Sequence, residues 1–213
     1  MDTGAGRPGR ATYRHGDLRR ALLEAGVELA RGGGPDAVVL REATRRVGVA
    51  PSAAYRHFAD RRALLDEVCS AAQAALAVAI EDEMNTLPVG GDPVGSARAQ
   101  LRAVGTGYLR FARDEPGLFR TAFSVSEDLR NAGSPARAGE GGLTPFQLLG
   151  SALDGLVEAG LLPRERRPGA EFLAWSAVHG LAMLLIDGPL RGLDNTRVRG
   201  VERRLLDMVD QGL

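Results

Sequence analysis

A short polar segment of the chain carries several side chains that could hydrogen-bond to an anionic polymer. It contains Ser52, Tyr55, Arg56 and His57. Hydroxyl, guanidinium and imidazole groups can donate hydrogen bonds to phosphate oxygens and to the edges of bases. The chemistry indicated here is recognition by hydrogen bonding, because the segment contains no motif that is typical of catalysis.

Two short helices separated by a tight turn are predicted to hold this segment in place. Leu40 and Val47 have helical spacing, and Gly48 can adopt the positive φ that a sharp helix end needs. Pro51 or Ser52 can begin the next helix. A short second helix with a polar tip, held against a first helix, is the geometry of a helix-turn-helix unit that enters the major groove of DNA.

The sequence resembles a known family over most of its length. Four segments resemble the N-terminal domain of the TetR family of bacterial repressors: YRHGDLRRALL (13–23), LREA (40–43), VGVA (47–50) and YRHF (55–58). Two further segments resemble a subgroup of that family whose regulatory domain carries a Trp…His-Gly signature: YLRFARDEPGLFR (108–120) and WSAVHGL (175–181). The resemblance implies a DNA-binding head followed by a helical regulatory domain.

The resemblance also implies which residues contact DNA. The tip of the second helix is where family members touch base edges, and the positions after it commonly bind phosphates. The predicted DNA-binding residues are Arg41, Ser52, Ala53, Tyr55, Arg56, His57 and Arg61. The alternative for His57 is a helix C-terminal cation that is satisfied locally. The ring of Tyr55 is expected to face the core at its base and to place its hydroxyl on a phosphate.

Charge is unevenly distributed, although the formal net charge is zero. Residues 1–62 contain twelve arginines and seven acids, whereas residues 63–213 contain fifteen arginines and twenty acids. A basic head on an acidic body suits a small module that contacts an anion. Taken alone, this distribution could also be random scatter of surface charge.

Composition and motifs argue against several other classes of protein. A single cysteine, Cys69, excludes a disulfide framework within one chain and a cysteine zinc cluster. No phosphate-binding loop, paired-histidine zinc motif or nucleophile elbow occurs, so we expect no enzyme activity, no cofactor and no metal site. We find neither an apolar run of membrane-spanning length nor a signal peptide, and therefore expect a cytoplasmic protein without a membrane partner.

An all-α fold of about nine helices is predicted. Apolar residues recur with helical spacing along the chain, and no segment alternates convincingly with the period of a strand. The expected organisation is a disordered basic arm over residues 1–12, a helix-turn-helix domain over 13–62, and a ligand-binding and dimerisation domain over 63–213. A fourth helix from about residue 60 to residue 84 is expected to connect the two domains.

A small-molecule pocket is expected in the second domain. Pockets in helical bundles are mostly apolar with a few polar anchors, and most aromatic residues of the chain lie beyond the head. The predicted pocket residues are Leu76, Tyr108, Phe111, Phe119, Phe123, Phe146, Trp175, His179 and Met183. An aromatic stripe at helical spacing is more often core than pocket, so the alternative for each of these residues is packing alone.

The last two helices are expected to form a dimer interface. The resemblance implies a four-helix bundle across a two-fold axis, and two long apolar stripes are compatible with it. The predicted interface residues are Phe172, Val178, Ala182, Ile186, Val198, Val201, Leu205 and Met208. The alternative is an ordinary core within one chain.

Together these patterns predict a ligand-responsive, sequence-specific DNA-binding regulator. The resemblance favours a homodimeric repressor that a small apolar effector releases from a palindromic operator. The alternative is a helical protein-interaction module whose DNA head is vestigial or non-specific. Specific, salt-dependent binding to a palindromic duplex separates the two hypotheses.

Overall fold

The computed structural model describes residues 15–125 and 132–213. Within these residues the chain forms nine α-helices and no strand, which confirms the predicted all-α class. The helices are α1 (His15–Gly33), α2 (Leu40–Val47), α3 (Pro51–Ala54), α4 (Arg61–Asn85), α5 (Pro93–Asp114), α6 (Pro116–Ala122), α7 (Pro145–Glu158), α8 (Ala170–Ile186) and α9 (Asn195–Gly212). The predicted basic arm, residues 1–12, lies outside the described residues.

The first three helices and the start of α4 enclose a small apolar core. Gly48 ends α2 in the left-handed conformation with φ of 77°, as the sequence predicts, and its N–H bonds back to α2 carbonyls. Pro51 then begins α3, and the inward positions here are Ala54, the last residue of α3, and Phe58, one turn later. Both side chains are buried. This packing holds α3 in the head, where it contacts α2.

Helix α4 continues from this head into the rest of the molecule. The side chain of Asp60 caps its first turn by accepting a hydrogen bond from Ala63 N at 2.8 Å. Among the described helices, α4 is long and apolar enough to cross a membrane by length and composition alone. Its apolar side is nevertheless occupied in this fold, because α4 packs against α1, α5, α6 and α7. The boundary expected after residue 62 falls within the first turn of this helix.

Two glycines allow helices to approach at backbone distance. A Cβ on Gly107 of α5 would stand 2.7 Å from the Cα of Ile80 in α4. A Cβ on Gly117 of α6 would overlap the carbonyl oxygens of Ala30 and Arg31 at the end of α1. Helix α5 is thereby held against α4, and α6 against α1.

The remaining helices complete a bundle around α5. A capping box begins α7: Thr144 Oγ1 accepts from Gln147 N at 3.3 Å, and Gln147 Oε1 accepts from Thr144 N at 2.9 Å. Helices α8 and α9 pack against α5 and against each other. Ion pairs between Arg98 and Asp210 and between Arg102 and Asp207 join α5 to α9.

Candidate DNA-binding surface and ligand cavity

The outer surface of α2 and α3 presents most of the residues that the sequence predicts to contact DNA. Arg41, Ser52 and Arg56 are exposed. Tyr55 is 60% exposed, so the expectation that the base of its ring faces the core is wrong. The reason is that Ala54, at the end of α3, and Phe58, one turn later, occupy the inward positions and turn residue 55 outward.

The other predicted contacts are placed differently. Ala53 and His57 are half-buried, and Ala53 packs against the core. Arg61 donates from Nε to Val38 O at 2.8 Å and from Nη2 to Pro35 O at 2.7 Å. It therefore ties the start of α4 to the turn between α1 and α2. A guanidinium has five N–H donors, so this clamp leaves others for a phosphate. The phosphate contact itself stays a prediction.

Ion pairs distinguish the arginines of this surface from one another. Arg45 donates to Glu42 at 2.6 and 2.9 Å, and this hydrogen bond, opposed by desolvation and helped by the charges of Arg45 and Arg46, lowers the pKa of Glu42. Arg41 and Arg56 form no ion pair within the described residues. Exposed guanidinium groups of this kind can donate hydrogen bonds to an external anion.

A cavity of about 500 Å³ lies in the body of the molecule. Helices α5, α7, α8 and α9 form most of its wall, and α4, the end of α6 and the turn at residues 135–137 complete it. The wall is mainly apolar, with a few polar groups. Size and lining are those of a small-molecule site in a helical protein.

Trp175, Tyr108 and His179 form a hydrogen-bonded chain in the wall of this cavity. The indole Nε1–H of Trp175 donates to the Tyr108 hydroxyl oxygen at 3.1 Å, and that oxygen lies 2.8 Å from Nδ1 of His179. An indole N–H can only donate, so the Tyr108 oxygen accepts from it and can donate its own proton to Nδ1. The neutral ring of His179 carries its proton on Nε2 when the Tyr108 hydroxyl is the donor, and on Nδ1 when that oxygen accepts from both neighbours.

Burial favours the uncharged forms of the Tyr108 and His179 side chains. Desolvation raises the pKa of Tyr108, against the opposing effect of the hydrogen bond from Trp175. Desolvation also lowers the pKa of His179. Aromatic neighbours supply this environment: Phe119 meets Tyr108 edge-on at 5.3 Å, and Phe123 meets His179 edge-on at 4.9 Å between ring centroids.

Five of the nine residues predicted for the pocket line the cavity, and the structure gives the other four a different place. The five are Tyr108, Phe123, Phe146, Trp175 and His179. Leu76, Phe111 and Phe119 are buried in the core behind the wall, where they fill space between helices. Met183 is 36% exposed, because it lies on the outer side of α8.

The residues predicted for the dimer interface divide into two groups. Phe172, Val201 and Met208 are exposed, and Ile186 and Leu205 are half-buried. Val178, Ala182 and Val198 are instead buried within the protomer. Val178 lines the cavity, because it shares the inner side of α8 with Trp175 and His179. Helical spacing identifies a stripe on a helix but does not say which side faces the protomer core.

The sequence analysis did not identify several residues on the exposed side of α8 and in the cavity wall. Leu173 and Leu184 are exposed on α8, at 67% and 44%, and their apolar character on a surface was the available signal. Arg137 lines the cavity and is only 5% exposed. It lies in the segment between α6 and α7. In the described part of this segment, residues 135–137 form a 3-10 turn that packs against α4. No sequence pattern predicts that the side chain of Arg137 is buried there.

Within the described residues, no group of three or more histidine, cysteine or acidic side chains could hold a metal ion. Cys69 is buried, and its Sγ lies 3.2 Å from Ala122 O. Burial raises the pKa of this thiol. The cysteine is therefore a packing residue in this fold.

Comparison with families of known proteins gives two matches. Residues 22–68 match the description "Bacterial regulatory proteins, tetR family". Residues 101–209, just over half of the chain, match "Tetracyclin repressor-like, C-terminal domain". A helix-turn-helix head joined to a helical body of this kind defines a DNA-binding transcriptional regulator. The chain belongs to the TetR family of such regulators.

Solved structures with the same fold are known. A protein of unknown function from Rhodococcus sp. RHA1 is 27% identical, and the match covers 96% of this chain and 99% of that one with a TM-score of 0.70. The TetR family transcriptional regulator PfmR from Thermus thermophilus is 22% identical, with coverage of 90% and 98% and a TM-score of 0.55. The second likeness shows the fold alone. No curated protein matches the chain.

Proposed function

We propose that this chain is a ligand-responsive repressor. A homodimer binds a palindromic operator through two heads and leaves it when a small molecule fills the cavity of each protomer. The observation that carries the proposal is the combination, in one chain, of exposed arginines on a helix-turn-helix surface and a largely apolar cavity of about 500 Å³ in the body. The proposal also includes a boundary between a DNA-binding domain over residues 13–62 and a ligand-binding and dimerisation domain over residues 63–213. It further includes membership of the subgroup whose regulatory domain carries a Trp…His-Gly signature.

The chemistry of the head supports contacts to both phosphates and bases. Arg41 and Arg56 can bind phosphates or guanine edges, and Tyr55 can donate its hydroxyl to a phosphate. The tip of α3 offers little else to bases, because Pro51 and Ala53 provide only apolar contact. Part of the sequence preference is therefore expected to come from the shape of the DNA.

A dimer formed by α8 and α9 is supported by what these helices expose. Phe172, Leu173, Leu184 and Met208 place apolar surface outside the protomer. Gly180 lies on the exposed side of α8, and a Cβ there would meet nothing within 4 Å. Glycine inside a helix costs about 1 kcal/mol relative to alanine. A partner helix that approaches closely at Gly180 would explain why a glycine occupies this position, because nothing within the protomer crowds it.

Communication between cavity and head is proposed to run through α4 and α6. Helix α4 begins at the head, and its Gln73 and Ile80 line the cavity. Helix α6 ends at Ala122, which lines the cavity together with the following Phe123, while its Gly117 lies against the backbone of α1. A ligand that changes DNA affinity 100-fold needs a coupling free energy of about 2.7 kcal/mol, which is within the usual allosteric range.

Selection from random-sequence DNA, followed by footprinting at two salt concentrations, tests this function. The proposal expects a protected palindrome with half-sites about one helical turn, roughly 34 Å, apart, and an affinity that falls steeply with salt. Weak binding without sequence preference would contradict it. That result would favour the alternative, in which the helical body is a protein-interaction module and the head is vestigial.

A further inference from the structure

The charged groups in the cavity wall have partners within the molecule. Among the described residues, the charged ones that line the cavity are Arg102, Arg137 and Asp210. Arg102 pairs with Asp207, and Asp210 pairs with Arg98, across the contact between α5 and α9. Arg137 also has an interaction within the molecule. None of these three charges therefore requires an opposite charge from a ligand.

His179 ends the hydrogen-bonded chain that begins at Trp175. The Trp175 indole donates to the Tyr108 hydroxyl oxygen, and that oxygen lies 2.8 Å from Nδ1 of His179. Within the described part of the chain, the other ring nitrogen of His179, Nε2, forms no hydrogen bond. Desolvation lowers the pKa of His179, so the ring is uncharged at neutral pH. The chain thus ends in a neutral ring nitrogen, on a residue that lines the cavity.

A hydroxyl group suits Nε2 of His179 in either tautomer. When Tyr108 donates to Nδ1, Nε2 carries the proton and needs an acceptor, and when Nδ1 donates to Tyr108, Nε2 needs a donor. A hydroxyl can accept or donate, whereas a carboxylate or an ether oxygen can only accept. A carboxylate would also lose its hydration beside a wall whose charges are already matched, which is unfavourable.

Aromatic side chains surround His179 in the cavity wall. They are Tyr108, Phe123, Phe146 and Trp175. Phe146 meets Trp175 edge-on with ring centroids 6.3 Å apart, and Trp175 meets His179 edge-on at 6.0 Å. Edge-to-face contacts between aromatic rings are favourable beyond the area that they bury. An aromatic ligand can therefore make contacts here that an aliphatic ligand of the same size cannot.

We propose that the cavity binds an uncharged aromatic hydroxyl compound, whose hydroxyl hydrogen-bonds to Nε2 of His179 and whose rings pack among Phe123, Phe146 and Trp175. This inference rests on the proposed function, since it names the chemical class of the effector. It adds one hydrogen-bonding group and an aromatic body to the small apolar effector that the sequence suggests.

Calorimetric titration of the full-length protein with four related ligands tests the proposal. The ligands are 2-naphthol, naphthalene, 2-naphthoate and decahydro-2-naphthol, at neutral pH, where the naphthol is uncharged and the naphthoate is an anion. We expect 2-naphthol to bind about 3- to 10-fold more tightly than naphthalene, the effect of one neutral hydrogen bond, and more tightly than the other two. No binding of 2-naphthol, no advantage over naphthalene, or tighter binding of 2-naphthoate overturns the proposal. Equal affinity for decahydro-2-naphthol overturns its aromatic part.

A matched pair of variants assigns the preference to His179. His179→Asn keeps a side-chain amide near the position of Nδ1 for the Tyr108 hydroxyl but has no atom at the position of Nε2. In this variant 2-naphthol should therefore lose its advantage over naphthalene. Ser176→Ala removes a hydroxyl that also lines the cavity and should leave that advantage unchanged. Loss of the advantage in Ser176→Ala, or its persistence in His179→Asn, overturns the assignment to His179.

Circular dichroism checks that both variants are folded. If His179→Asn does not fold, nitrogen NMR of the histidine rings in the wild-type protein replaces it. Addition of 2-naphthol should then shift the Nε2 signal of His179, and an unchanged signal at saturation overturns the proposal. DNA selection is independent of these titrations, so failure of the ligand proposal and failure of the regulator proposal give different results.

Discussion

Gly117 of α6 and Ala30 of α1 are in backbone contact: a single methyl group on Gly117 would overlap the carbonyl oxygen of Ala30. This contact joins the helix that ends at the cavity to the helix that begins the head. The side chains nearby reinforce it, since Arg31 Nε donates to Glu115 at 2.9 Å just before α6 begins. The two proposed functional regions are therefore connected without a flexible linker at this point.

Gly117→Ala should separate α6 from α1. Because a backbone atom blocks the methyl group, we expect a loss of about 1–3 kcal/mol in unfolding free energy, or a displaced α6 that weakens the response of DNA binding to ligand. Thermal unfolding measures the first, and operator affinity with and without ligand measures the second. Gly32→Ala is the control, since a Cβ there meets nothing within 4 Å. Wild-type stability and response in Gly117→Ala would contradict this account.

Tyr108→Phe should destabilise the body without harming the head. Loss of the hydroxyl leaves the Trp175 indole N–H without its acceptor and His179 Nδ1 without its hydrogen-bond partner, which should cost about 1–3 kcal/mol. Denaturant unfolding and the emission spectrum of Trp175 report the change. Tyr55→Phe, at an exposed position, should stay within about 0.5 kcal/mol of wild type. Equal stability of the two variants would show that the hydroxyl of Tyr108 contributes nothing.

His179 should remain neutral at pH values where an exposed histidine is half protonated. Burial lowers its pKa below that of the unfolded chain, so protonation favours unfolding. The stability contributed by the neutral ring is present above the unfolded value, about 6.5, and is lost as the pH falls through the lowered folded value. A titration of the ring by NMR should give a midpoint below 6.5. A midpoint above that value would contradict the hydrogen-bonding scheme around Tyr108.

The outer side of α8 should be essential for dimer formation. Leu173→Glu or Leu184→Glu would place two unpaired charges in a two-fold interface, one from each protomer. We expect the dimer dissociation constant to rise by about 100-fold or more. Sedimentation analysis measures this directly. Val89→Glu is the matched control, because Val89 is an exposed apolar residue between α4 and α5. Dimers unaffected by either leucine variant would place the interface elsewhere.

The sequence was most informative where local rules determine the structure. Gly48 ends α2 and Pro51 begins α3, as their intrinsic conformational preferences require. Phe58 is buried, whereas Ser52 of α3 and Arg56 just after it are exposed, which is the expected pattern of a helix-turn-helix head.

The sequence was least informative where packing between distant segments decides the outcome. Trp175 and Val178 lie on one side of α8 and both line the cavity, although helical spacing suggested a pocket residue and an interface residue. Arg137 is buried because residues 135–137 pack against α4, a contact between segments more than fifty residues apart. Periodicity reports that a helix has an apolar side, and only the complete fold says what covers it.

The most direct test of the central claim is the affinity of purified protein for its selected operator, measured for wild type, Arg56→Ala and Arg164→Ala at one salt concentration. The exposed position of Arg56 on the head predicts a loss of at least 10-fold, about 1.4 kcal/mol or more, with dimer and helix content unchanged. Arg164→Ala should bind within about 2-fold of wild type, since long-range charge effects are largely screened. Unchanged operator binding by Arg56→Ala would contradict the assignment of this surface to DNA.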